Sequence, residues 1–186
     1  MGLKEKQLLL HEYVKNKFKG RKRKWSELPY FSHLISVAEK CVLNNIKLGF
    51  EIGLLHDIYE DTPTQSYDLI ESLIKMGYTK EEADVISNRV IDLTKTFTKE
   101  DYPHLNREQR AINEIKRLRN IHPTSQTIKY IDIMDNCKDI VNKNIEFARI
   151  YVPEKLTQLK IMDKGDRYIR KKAIIILSLT DTHLLK

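Results

Sequence analysis

Apolar residues recur at helical spacing along most of the chain, in blocks separated by short polar stretches. Over 3–18 the residues Leu8, Leu9, Leu10, Tyr13, Val14 and Phe18 keep a loose helical period. A basic stretch, KGRKRKW at 19–25, stops that block with Gly20. The pattern restarts at Pro29 and carries Tyr30, Ile35, Val37, Ala38, Cys41 and Val42 on one stripe. GFEIGLLHDIYED, at 49–61, reads as one short apolar helix halted by Thr62-Pro63, because proline pushes the preceding residue out of α geometry. Helices are also predicted over 66–76 and 80–94, the second opened by Thr79 and Glu82 at capping-box spacing. TKTFTKEDYPHL is a polar connection, and helix resumes at about 105–120 and, after His122-Pro123, at 124–142. The tail, 145–186, predicts further helical pieces, although IIILSL within it suits a strand equally well. With no repeat or linker along the chain, the expectation is one all-α domain over 1–186: a helical bundle of about nine helices with a helical C-terminal extension.

Composition supports that reading. Six glycines and five prolines in 186 residues are few for a sandwich or barrel, and 41% hydrophobic residues suffice for a sizeable core. No apolar run approaches the roughly 18–20 residues that span a bilayer. The N-terminus lacks the features of a signal peptide, so a cytoplasmic protein without membrane association is expected. Cys41 and Cys137 lie far apart with no CxxC spacing and read as small core residues. A net charge of +7 favours an anionic partner without saying whether that is nucleic acid, a phosphorylated metabolite or a lipid surface.

Four ionisable features sit on otherwise apolar stretches: His33, His56-Asp57, Glu60-Asp61 and Asp132, with Asn136 one turn after the last. On a continuous helix His56 would share a face with Glu60, and Asp57 with Asp61. The neighbours His56 and Asp57 would point about 100° apart and reach one ion only at a helix end or with help from another element. Singly, each has an ordinary explanation: a half-buried histidine, a surface ion pair of little worth, or a solvated acidic face shared by Asp132, Asp135 and Asp139. Together they are harder to dismiss, since burying so many polar groups is costly unless something pairs them, and a divalent cation does so efficiently.

The order H…HD…D resembles the metal-binding signature of HD-domain phosphohydrolases. The words PYFSHLISVAE, GLLHDIYEDT, VIDLTK, PHLNREQRAINEIKRL and YIDIMDNCKDI follow the order of the RelA/SpoT-type alarmone hydrolase domain over about 10–142. They are most similar to its stand-alone small form, the metazoan SpoT-homologue type. The resemblance implies that His33, His56, Asp57 and Asp132 hold a divalent ion, Mn2+ in the relatives, a mixed N/O set that other divalent cations also suit. It implies that Glu60 and Asp61 position and deprotonate the attacking water, and that Asn136 contacts the nucleotide near its ribose. The cluster Arg21, Lys22 and Arg23 falls where relatives contact the purine base. Lys95, Arg107 and Arg110 match the family's words, with a structural role equally open.

The implied reaction is hydrolysis of guanosine 3′,5′-bis(diphosphate) and its pentaphosphate to GDP or GTP and pyrophosphate, on a small-molecule nucleotide rather than nucleic acid. Three departures touch the nucleotide pocket: Leu34 replaces a proline after the first histidine, Ile131 replaces an alanine, and Phe18 replaces a histidine. Two alternatives therefore stay open: an HD phosphohydrolase of NADPH or a nucleoside monophosphate, and a basic nucleic-acid-binding module with a structural HD site.

Overall fold

The computed structural model describes residues 2–184, which fall into two compact units divided between Thr94 and Lys95. Among the described residues there are ten helices and no strand; one isolated antiparallel bridge, Lys22 to Pro29, is the only β pairing. Among the described residues no helix is long and apolar enough to cross a membrane.

The first unit holds α1 (Glu5–Lys17), α2 (Phe31–Leu43), α3 (Gly49–Leu55), α4 (Ile58–Asp61), α5 (Ser66–Lys75) and α6 (Lys80–Leu93). All seven residues of α3 are buried, as expected for an apolar segment at the centre of a unit, and α1, α2 and α6 pack around it. Its one carboxylate, Glu51, accepts hydrogen bonds from Gln7 Nε2 at 2.9 Å and Tyr78 OH at 3.2 Å, so the burial is compensated. The cap expected at Thr79 is formed: its hydroxyl accepts from the Glu82 amide, and the Glu82 carboxylate accepts from the Thr79 amide. Glu82 also takes Lys6 Nζ at 2.7 Å, which ties α1 to α6.

The second unit holds α7 (Arg107–Leu118), α8 (Pro123–Lys143), α9 (Ile145–Ile161) and α10 (Arg167–Leu184), with the last three packed on one another. Pro123 opens α8 at the first turn, where its missing N–H costs nothing. IIILSL is helical: Ile169, Ala173 and Leu177 are buried at helical spacing, whereas Leu179 is exposed. The turn between α9 and α10 is bound to α8 through Gln126, whose Oε1 accepts from the Lys164 amide at 2.8 Å, and through Tyr130 OH, which donates to the Met162 carbonyl at 2.7 Å. A side chain at Gly165 would lie 2.6 Å from the Tyr130 ring. Cys41 and Cys137 are both buried and neither is in a disulfide, in keeping with core roles.

Candidate metal centre

In the first unit the structure brings His33, His56 and Asp57 together. One ligand atom from each lies within 4.8 Å of the others. Both histidines are about 1% exposed and Asp57 is 9% exposed. His56 Nε2 is 3.0 Å and His33 Nε2 3.9 Å from Asp57 Oδ2, and the two imidazoles meet edge to face with centroids 5.1 Å apart.

The local backbone explains how chain neighbours converge. The continuous helix expected over 49–61 is interrupted: α3 ends at Leu55, α4 begins at Ile58, and Asp57 sits between them at φ −104°, ψ 7°. On an unbroken helix His56 and Asp57 would diverge; the break puts them at a helix end, where they can face the same point. His33 reaches them because α2 and α3 approach unusually closely. A Cβ on Gly53 would stand 2.9 Å from Ala38 Cα and 3.1 Å from Ala38 N, so only glycine fits there.

The donor set fits a divalent cation. His56 Nδ1 lies 2.7 Å from the Gly53 carbonyl, which can only accept, so Nδ1 carries the proton. That leaves Nε2, 3.0 Å from Asp57 Oδ2, as the nitrogen that a neutral imidazole would offer to a cation, the usual arrangement behind a histidine ligand. Two imidazole nitrogens and a carboxylate oxygen form a mixed set that suits first-row divalent cations such as Mn2+, Fe2+, Co2+ or Zn2+. Tyr30 OH supports the carboxylate from outside, donating to Asp57 Oδ2 at 2.7 Å.

Glu60 and Asp61 follow on α4, Glu60 exposed and Asp61 half-buried. Burial pushes the Asp61 carboxyl above the usual carboxylate range and Asp57 adds to the effect, while Arg21 and Tyr30 pull it back. The basic cluster separates into three fates. Arg21 Nη1 donates to Asp61 Oδ1 at 3.1 Å, Lys22 pairs with Glu27, and the Arg23 amide closes the bridge onto the Leu28 carbonyl at 3.0 Å. Two of the sequence departures become intelligible: Leu34 is fully buried, and Phe18 stacks on Tyr30 with centroids 5.5 Å apart.

Asp132 and Asn136 belong to the second unit. Asp132 is buried, accepts from Asn136 Nδ2 at 2.6 Å and pairs with Lys129 Nζ at 2.9 Å. Asp135 is buried too, so the solvated acidic face considered from the sequence does not form.

That unit also contains a cavity of about 440 Å³ that the sequence reading only touched. Lys95, Arg107 and Arg110 line it as three of five cations, joined by Lys99 and Lys155, with Tyr151 beside them. Lys155 donates to Gln158 Oε1 at 2.9 Å and stands 5.5 Å over the Tyr151 ring. Burial, reinforced by Lys129, pushes its ammonium down to about 8. Tyr151 and Lys155 went unnoticed because they lie in the tail, where the family likeness is weak; their four-residue spacing on α9 was the one available signal.

No family model matches the chain. Over 148 residues, 75% of the chain, it is 31% identical to a probable guanosine-3′,5′-bis(diphosphate) 3′-pyrophosphohydrolase of Mycoplasma pneumoniae. Over 124 residues, 64% of the chain, it is 29% identical to a probable cytoplasmic leucine–tRNA ligase of Vairimorpha ceranae. The chain spans 19% of the first relative's length and 13% of the second's. A solved structure of a metazoan SpoT orthologue, described as hydrolysing ppGpp and acting in starvation responses, superposes with a TM-score of 0.76. The likeness covers 97% of both chains at 18% identity. The all-α HD-domain fold expected from the sequence is thus the fold of this chain.

Proposed function

We propose that the chain is an HD-type alarmone hydrolase, a metal-dependent guanosine 3′,5′-bis(diphosphate) 3′-pyrophosphohydrolase. The observation that carries this reading is the buried His33, His56 and Asp57 trio at a helix break, with Glu60 and Asp61 one turn further on. The 31% identical pyrophosphohydrolase and the fold shared with the ppGpp-hydrolysing SpoT orthologue support the substrate class. Action in the cytoplasm, in a stringent-type response, belongs to the same proposal.

In this mechanism His33, His56 and Asp57 would hold a divalent cation, with Mn2+ the first choice. Asp132 joins them as fourth ligand on the sequence resemblance alone. When bound, such an ion supplies Lewis acidity near neutral pH. Glu60 and Asp61 orient a water and accept its proton. The water oxygen bonds to the phosphorus nearest the ribose, the bond to the 3′ oxygen breaks, and that oxygen leaves protonated as the ribose hydroxyl. Pyrophosphate is the other product. In the second unit Lys95, Lys99, Arg107, Arg110 and Lys155 outnumber the carboxylates Glu114 and Glu154 around the cavity, a lining whose positive excess suits a polyanion. Lys22, Arg23 and Asn136 remain proposed nucleotide contacts.

The test is a substrate panel with purified protein and Mn2+: tetra- and pentaphosphate alarmones, NADPH, nucleoside monophosphates and single-stranded RNA, following pyrophosphate and phosphate separately. Pyrophosphate from the alarmones, lost on chelation and restored by Mn2+, is the expected result. Phosphate from NADPH alone would move the chain to another HD substrate class. Salt-sensitive RNA binding without turnover would favour the nucleic-acid reading.

A further inference from the structure

Residues 18–30 link α1 to α2 and form the isolated β bridge between Lys22 and Pro29. Around that bridge Arg21 and Tyr30 are directly paired: the Tyr30 amide donates to the Arg21 carbonyl at 2.9 Å. Their side chains reach two neighbouring carboxylates, and Tyr30 serves both, since its side chain also hydrogen-bonds Asp61. Arg21 Nη1 donates to Asp61 Oδ1 at 3.1 Å, and Tyr30 OH donates to Asp57 Oδ2 at 2.7 Å. Both are braced from below by Phe18, whose buried ring stacks nearly parallel on Tyr30 and lies 5.9 Å from the Arg21 guanidinium.

We infer that this hairpin is a positioning strap, in which Arg21 holds the water-handling carboxylate Asp61 and Tyr30 holds the ligand carboxylate Asp57. The inference deepens the proposed hydrolase reading, and it singles Arg21 out of the basic cluster as acting through Asp61 rather than on the purine.

Two physical arguments support it. A guanidinium and a carboxylate make directional, charge-assisted hydrogen bonds, so Arg21 fixes where the Asp61 oxygens point as well as neutralising them. The pair is also partly solvated, with side chains 47% and 34% exposed, and such pairs add little to folding stability. A fold has small use for it, whereas a base that must meet one water in one orientation has a large use for it. Tyr30 is the counterpart for the metal side. A hydroxyl that donates to a ligand carboxylate fixes which oxygen faces the ion, and losing such a partner typically weakens metal affinity by roughly 10–100-fold.

The experiment has two arms. For Tyr30, calorimetry of Mn2+ binding to wild type and Tyr30→Phe is expected to show affinity falling about tenfold, with the melting temperature little changed. Equal affinities would overturn this half. This arm needs no substrate, so it decides the strap even if the alarmones are not turned over; a wild type that binds no divalent ion overturns both readings together.

For Arg21, kcat and KM are measured on the substrate that wild type accepts in the panel, for Arg21→Ala, Arg21→Lys, Asp61→Asn and the double variant Arg21→Ala/Asp61→Asn. The expected pattern is a kcat about tenfold lower in Arg21→Ala, KM within twofold, partial recovery in Arg21→Lys, and no further loss when Arg21→Ala is added to Asp61→Asn. A raised KM with kcat unchanged, or additive losses, would make Arg21 a substrate contact and overturn the strap.

Discussion

Replacing Gly53 by alanine tests the geometry on which the whole centre depends. The new Cβ would lie 2.9 Å from Ala38 Cα, 3.1 Å from Ala38 N and 3.2 Å from Cys41 Sγ. Two of these neighbours are backbone atoms of α2, so nothing can swing aside and α2 must move by several tenths of an ångström. Overpacking of this kind typically costs about 1–3 kcal/mol. Alanine regains up to about 1 kcal/mol of helix propensity, since Gly53 is inside α3. The net expectation is a loss of roughly 0–2 kcal/mol, about 0–8 °C in melting temperature for a chain of this size. The sharper consequence is on the site. α2 carries His33 and the end of α3 carries His56, so pushing the helices apart separates their Nε2 atoms. Mn2+ affinity measured by calorimetry should therefore fall at least tenfold, more than the stability change would suggest. A variant that melts higher than wild type and binds Mn2+ equally well would refute the close-approach argument.

Other outcomes follow from the same geometry. Asp57→Ala should lose bound Mn2+, measured by metal analysis after gel filtration, together with pyrophosphate release, and Asp132→Ala should do the same. Glu60→Gln should keep the metal but lower kcat by at least a hundredfold, because the exposed carboxylate handles water rather than the ion. Lys155 gives a pH signature: with its ammonium held to about 8, it loses its charge as pH rises through that value, so KM for a polyanion should climb above about pH 8 and Lys155→Arg should abolish the climb. The stability sign is opposite. The unfolded chain takes up this proton below 10.5 and the folded chain only below about 8, so Lys155 lowers stability as pH falls across that window. Melting curves of Lys155→Met and wild type should accordingly differ more at pH 7 than at pH 10.

Much of the helical layout is local and was legible in the residues. Thr79 with Glu82, Pro123 after His122, and Pro63 after Thr62 mark helix ends through chemistry that acts within one turn, and each marks an end in the structure. His33, His56 and Asp57 also stand out in the residues as ionisable side chains on apolar stretches, and the structure brings one ligand atom of each within 4.8 Å of the others. What the pattern could not supply was anything set by two segments meeting. The interruption at Asp57 has no proline or glycine to announce it, and a strand or a helix would serve IIILSL equally until packing buried Ile169, Ala173 and Leu177 on one side. Tyr151 and Lys155 carry no motif; they matter through what stands within a few ångströms of them. Sequence by itself determined which ionisable side chains stand on or beside apolar helical stretches, because those properties belong to single residues and short spacings. Only the tertiary structure decided that His33 reaches His56 and that Arg21 and Tyr30 share the carboxylates between them, because those contacts depend on how closely α2 and α3 can approach at Gly53 and on the backbone pairing of residues nine apart.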